Sequence, residues 1–169
     1  MCLRVQPSTK GTALPTLTFS VTGTGTGVRQ DIDVVGSGHL IRTDAYTDFG
    51  GKDEYPSPLA YVLASLSSCT QVVASVVAKE QDITIDAYSF SVDGDFDPTV
   101  LVGGHEADAD HPDTFTAIRL TVTVDTDATQ EQIESLGAAV ERRCPVSALF
   151  HRAGTPVTSV WTVGSSTAA

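Results

Sequence analysis

The chain has 169 residues, of which 41% are hydrophobic and 18% charged, a composition that fits one folded domain and excludes a globally disordered chain. A formal net charge of -11, with only ten Lys and Arg, all scattered, argues against nucleic acid and anionic membrane as partners. Three cysteines are too few, and odd in number, for a disulfide scaffold; they point to a reducing, cytoplasmic setting.

Residues 1–14 read as a loose arm, with Cys2 an incidental thiol in it and no apolar run of a signal peptide. Residues 16–22 alternate strictly, with Leu17, Phe19 and Val21 apolar, and predict a half-buried strand. The tract Gly23-Thr24-Gly25-Thr26-Gly27 predicts a turn; no Lys follows where a phosphate loop would need one. Two more strands are expected at 28–35 and 39–44, broken at Gly36-Ser37-Gly38.

Residues 55–78 contain no Asp, Glu, Lys, Arg or His, so their length alone would allow a membrane span. Interrupting Ser, Thr and Gln, with no aromatic or basic flanks, favour a helix buried inside a folded protein, in a dimer if need be. Ser57 and Pro58 mark its start as a cap residue followed by proline at the first helical position. Leu59, Val62, Leu63, Leu66, Thr70, Val73 and Val77 recur at helical spacing, with Cys69 on the same broad face, to an end near Lys79.

Residues 83–96 read as a strand, 101–113 as an acidic loop and 115–124 as a strong strand. A helix follows from about Ala128 to Arg143, a short one from Cys144 to about Arg152, and a final strand at 156–163. The order predicts a single α+β domain, with antiparallel strands packed on a long central cysteine-bearing helix.

Taken alone, Cys69 reads as a small buried hydrophobe in an apolar stripe. Cys144 precedes Pro145 and opens a helix, where free N–H groups and the helix dipole favour a thiolate; Arg142 and Arg143 add positive charge. His39, His105, His111 and His151 are dispersed, and no Cys/His spacing suits a metal.

Three segments resemble one family. Gly50-Gly51-Lys52-Asp53 with Pro56-Ser57-Pro58-Leu59 and Ala64-Ser65-Leu66-Ser67-Ser68-Cys69-Thr70 is similar to the first-cysteine signature of the OsmC and organic hydroperoxide resistance superfamily. His111-Pro112, with Phe115-Thr116 and Ile118, resembles its next segment, and Cys144-Pro145-Val146-Ser147 its second-cysteine motif. The resemblance implies an intertwined α+β homodimer with sites at the subunit interface. It implies a peroxidase without metal or organic cofactor, in which Cys69 attacks an organic hydroperoxide and Cys144 resolves the sulfenate as a disulfide. A dithiol of lipoyl or thioredoxin type would be the reducing partner. In relatives an Arg from the first strands activates the thiol, which points to Arg29, with Arg42 as the alternative. Relatives hold that Arg with a Glu in the first turn of the cysteine helix; positions 59 and 60 here are Leu and Ala, leaving Asp53 or Glu54 as substitutes. The missing Glu keeps two other functions open: a dimeric module binding an apolar ligand, and a redox sensor without turnover.

Overall fold

The computed structural model describes residues 14–104 and 106–164. Cys2, His105 and all but the last residue of the expected N-terminal arm lie outside them.

The strands form two separate three-stranded sheets. The first is an antiparallel meander of β1 (Val21–Thr26), β2 (Arg29–Val34) and β3 (His39–Thr43). Thr26 pairs with Arg29, so Gly27 and Val28 alone make the hairpin turn, and Gly27 supplies its positive φ of 64°. The glycine tract expected as a turn therefore lies mostly inside β1. The expected strand at 16–22 is displaced in turn. β2 is only six residues long and pairs back from Gly27 no further than Val21. Leu17 and Phe19 are left 73% and 90% exposed, outside any strand.

The second sheet has the order β4 (Ala87–Phe96), β5 (Phe115–Asp125), β6 (Val157–Val163). β4 and β5 are antiparallel, but β6 runs parallel to β5. This corrects the all-antiparallel expectation. The two helices between β5 and β6 form a crossover that carries the chain back before it rejoins the sheet. A short helix α2 (Thr99–Gly103) takes up the beginning of the segment expected to be an acidic loop.

The long helix α1 (Pro58–Glu80) starts where the sequence places it. The Ser57 hydroxyl accepts the Ala60 N–H at 3.2 Å, and Pro58 occupies the first turn. Leu66, Thr70, Ala74, Val77 and Ala78 form its buried stripe. Val77 and Ala78 join β5, Trp161 of β6, and Ile133, Leu136 and Val140 of α3 (Gln130–Arg143) in the main core. The other face of the helix is open in the single chain, with Val62, Val72 and Val76 38%, 65% and 46% exposed. α1 is long and apolar enough to cross a membrane, yet one face is built into this core. α4 (Pro145–Arg152) closes the domain beside the N-terminal half of α1.

Candidate active site

Cys69 lies in mid-α1, and Cys144 is at once the last cap of α3 and the first cap of α4. A smaller apolar cluster of Leu66, Phe115, Ile118, Cys144 and Phe150 brings them together, with Cys69 and Leu63 packed on its edge. Cys144 is 2% exposed, whereas Cys69 is partly open. The space behind Cys144, between Leu66, Thr70, Val140 and Ser147, holds about 10 Å³. No ligand fits there, which leaves Cys69 the more open of the two sulfurs.

The start of α4 serves both sulfurs. The Ser147 N–H donates to Cys144 Sγ at 3.4 Å, and the Val146 backbone lies close enough to act on the Cys69 thiol. The first N–H groups of α4 have no carbonyl partner within their own helix, and Pro145 at the first position needs none. Burial, the strongest influence, pushes the Cys69 thiol up; the Val146 backbone pulls it down, and the adjacent Cys144 thiol raises it again. Both cysteines are free thiols.

The charge expected from Arg143 is spent elsewhere. Its guanidinium grips Glu80, at the far end of α1, with bonds of 2.5 and 3.1 Å. That pair ties α3 to α1, and among the described residues no cation stands with the groups that shift Cys69. His111 stands before β5, its Nδ1 3.1 Å from Asp97 Oδ2, a structural contact at the strand start. His151 is exposed on α4. Among the described residues no three His, Cys, Asp or Glu converge as a metal site would require.

Arg29 opens β2 at the hairpin end, away from the groups that act on Cys69 within the chain. Nη1 donates to Glu54 Oε2 at 2.8 Å, and Nη2 donates to the Tyr55 hydroxyl at 3.3 Å. The guanidinium carbon stands 4.7 Å from the centre of the Tyr55 ring. Glu54, named with Asp53 from the sequence, is thus the acid that holds Arg29. Tyr55 was not anticipated; an aromatic next to an acid before a helix start carries no signal by itself. Arg42 lies over the same ring at 5.6 Å and leans on Asp31 at 3.7 Å.

Beside this cluster is a cavity of about 540 Å³, lined by Val28, Tyr46, Phe49, Pro58, Leu59, Leu101 and neighbours. Its walls are almost wholly apolar.

A pair of thiols on adjoining helix segments of a two-sheet α+β domain defines a candidate thiol-based redox protein. The sequence family described as OsmC-like protein matches residues 51–160, and the chain belongs to that family. Solved structures share the fold. An OsmC-like protein from Mycoplasma pneumoniae superimposes with a TM-score of 0.72 at 18% identity, covering 88% of this chain and 99% of the other. An organic hydroperoxide resistance protein OsmC from Legionella pneumophila gives 0.66 at 18% identity, with 88% and 98% covered. The organic hydroperoxide resistance protein OhrB of Bacillus subtilis gives 0.60 at 21% identity, again with 88% and 98% covered. No protein of curated function matches the chain in sequence.

Proposed function

We propose that the protein is a thiol-dependent peroxidase that reduces organic hydroperoxides. The observation that carries this reading is the juxtaposition of a partly open Cys69 and a buried Cys144 at one helix start, where Cys144 Sγ accepts the Ser147 N–H. The Cys69 thiolate attacks the distal peroxide oxygen, the O–O bond breaks, and the alkoxide leaves and takes a proton. Cys69 is then a sulfenic acid. The Cys144 thiol condenses with it; a disulfide forms and water leaves. A dithiol of lipoyl or thioredoxin type reduces the disulfide and becomes oxidised itself.

Such a cycle needs a cation at Cys69, because burial alone disfavours the thiolate. We place Arg29 of the partner subunit there in a homodimer. Support comes from two open apolar surfaces: the α1 face carrying Val62, Val72 and Val76, and the face of the β1–β3 sheet that carries Val21, Ile32, Val34 and Ile41, with Val21 60% exposed. The cytoplasm, rich in reduced dithiols, is the compartment that suits this chemistry.

Kinetics with tert-butyl hydroperoxide and a dihydrolipoyl donor test the reading. The parent turns over, Cys69→Ser does not, and Cys144→Ser stalls after one turnover. Equal rates for Cys69→Ser and parent overturn it.

A second reading rests on the apolar 540 Å³ cavity. In it the protein is a dimeric carrier of an apolar ligand, or a sensor whose pair oxidises without turnover. A stoichiometric apolar ligand, with Cys69 inert to peroxide, would favour the carrier.

A further inference from the structure

Glu54 reaches Arg29 from a loop, and a side chain on a loop is held only as well as the loop itself. This loop is tied from within by one carboxylate. Asp44 is 3% exposed. Its Oδ1 accepts the Ala45 N–H at 2.8 Å, and its Oδ2 accepts the N–H groups of Lys52 and Glu54, both at 3.1 Å.

The backbone closes the same knot. The Asp44 N–H donates to Pro56 O at 3.3 Å, and the N–H groups of Asp53 and Gly51 donate to Ala45 O and Tyr46 O, each at 3.1 Å. Gly51 is obligatory, since a Cβ would stand 1.9 Å from Ala45 O. Asp53 takes a left-handed φ of 56°, which turns the chain so that Glu54 and Tyr55 follow directly. The segment therefore runs out from Asp44 and returns to it, and its last two residues are the ones that touch Arg29.

An arginine on an exposed strand is floppy, and one surface ion pair does not immobilise it. Arg29 is 46% exposed but has three restraints: a carboxylate, a hydroxyl and a ring face. All three come from Glu54 and Tyr55, whose position depends on Asp44.

We propose that Asp44 is the positioning residue for Arg29: it fixes the Glu54 backbone and, through Glu54 and the Tyr55 shelf, sets the direction of the guanidinium. The loop does the work that a helix-start carboxylate at position 59 or 60 would otherwise do. This rests on the reading of Arg29 as the cation of a hydroperoxide-reducing site.

A double-mutant cycle in the full-length protein tests it. Asp44→Asn keeps the shape but turns an acceptor oxygen into a donor facing N–H groups. It should lower kcat/KM for tert-butyl hydroperoxide by about tenfold in the parent and leave the residual rate of Arg29→Ala unchanged. Tyr55→Leu, which spares the knot, should show the same dependence on Arg29 with a smaller loss. The Arg29 Nε–H NMR signal, distinct in the parent, should collapse toward those of freely exposed arginines in both variants. Equal losses in both backgrounds, or an unchanged Arg29 signal, overturn the proposal. If Arg29→Ala keeps the parent rate, the catalytic reading of Arg29 falls, and the NMR signal alone decides the positioning claim.

Discussion

The crossing of α3 over Trp161 gives a prediction whose sign runs against helix propensity. Gly137 lies inside α3, where Gly→Ala ordinarily stabilises a helix by about 1 kcal/mol. Here a Cβ would stand 2.5 Å from Trp161 Cδ1, 2.6 Å from Cγ and 2.7 Å from Nε1. Carbon atoms in contact prefer about 3.5–4.0 Å, so helix and indole must part by about 1 Å. The indole cannot yield by rotating one bond: it is 5% exposed and embedded in the main core. Overpacking of a filled core costs about 1–3 kcal/mol, and overlap with three ring atoms belongs at or beyond the upper end. Gly137→Ala should therefore destabilise by about 2 kcal/mol net. Thermal unfolding should then fall by about 4–8 °C, at the 2–4 °C per kcal/mol usual for this chain length. Because α3 ends on Cys144, the same variant should slow disulfide formation after peroxide. An unchanged or raised midpoint would refute this packing of α3 on β6.

Leu66→Ala empties a site that is 1% exposed beneath both cysteines, and should cost about 2–5 kcal/mol in urea unfolding while blunting peroxide reactivity. Thr129→Ala removes the hydroxyl that accepts the Gln132 N–H in the α3 capping box, while the backbone N–H to Gln132 Oε1 bond remains, and should cost about 1 kcal/mol in the same assay. Asp97 is held down from 3.8 to about 2, first by the Thr99 side chain, then by its N–H and by His111. A lowered folded-state value stabilises fully above the ordinary one and is lost as pH falls through the folded one. Amide protection at Thr99 should thus decay between about pH 4 and pH 2, and protection unchanged at pH 2 would count against the contact. In an Arg29→Ala background, alkylation of Cys69 should show an inflection above that of an ordinary thiol. Adding Cys144→Ala should move it down without restoring the ordinary value, since burial, the larger cause, remains.

The parts of this account legible in the sequence are those set by local chemistry. Ser57 and Pro58 fix the start of α1 because a cap and a proline act within one turn. Cys144 at a helix start is legible for the same reason. β1 was misplaced because alternation shows that a segment can be a strand, not which part of it finds a partner. Leu17 and Phe19 alternate as well as Val21 does, but only Val21 has Val34 opposite it. The parallel pairing of β6 depends on how α3 and α4 return the chain, which no residue of β6 encodes. Arg143 looked like a neighbour of Cys144 because it precedes it. A helical side chain points away from its successor, and Arg143 reaches Glu80 instead. The Arg29 clamp was half legible: the missing acid at positions 59 and 60 pointed to Asp53 or Glu54. Choosing Glu54, and adding Tyr55 and Asp44, required the loop's hydrogen bonds.

The central claim is that Cys69 and Cys144 form one redox unit in which Cys69 meets the peroxide. Peptide mass spectrometry after one equivalent of tert-butyl hydroperoxide at neutral pH tests it most directly. The account predicts a Cys69–Cys144 disulfide in the parent. In Cys144→Ser it predicts a dimedone-trapped sulfenic acid on Cys69. Two intact thiols in the parent, or a sulfenic acid on Cys144 with Cys69 untouched, would contradict it.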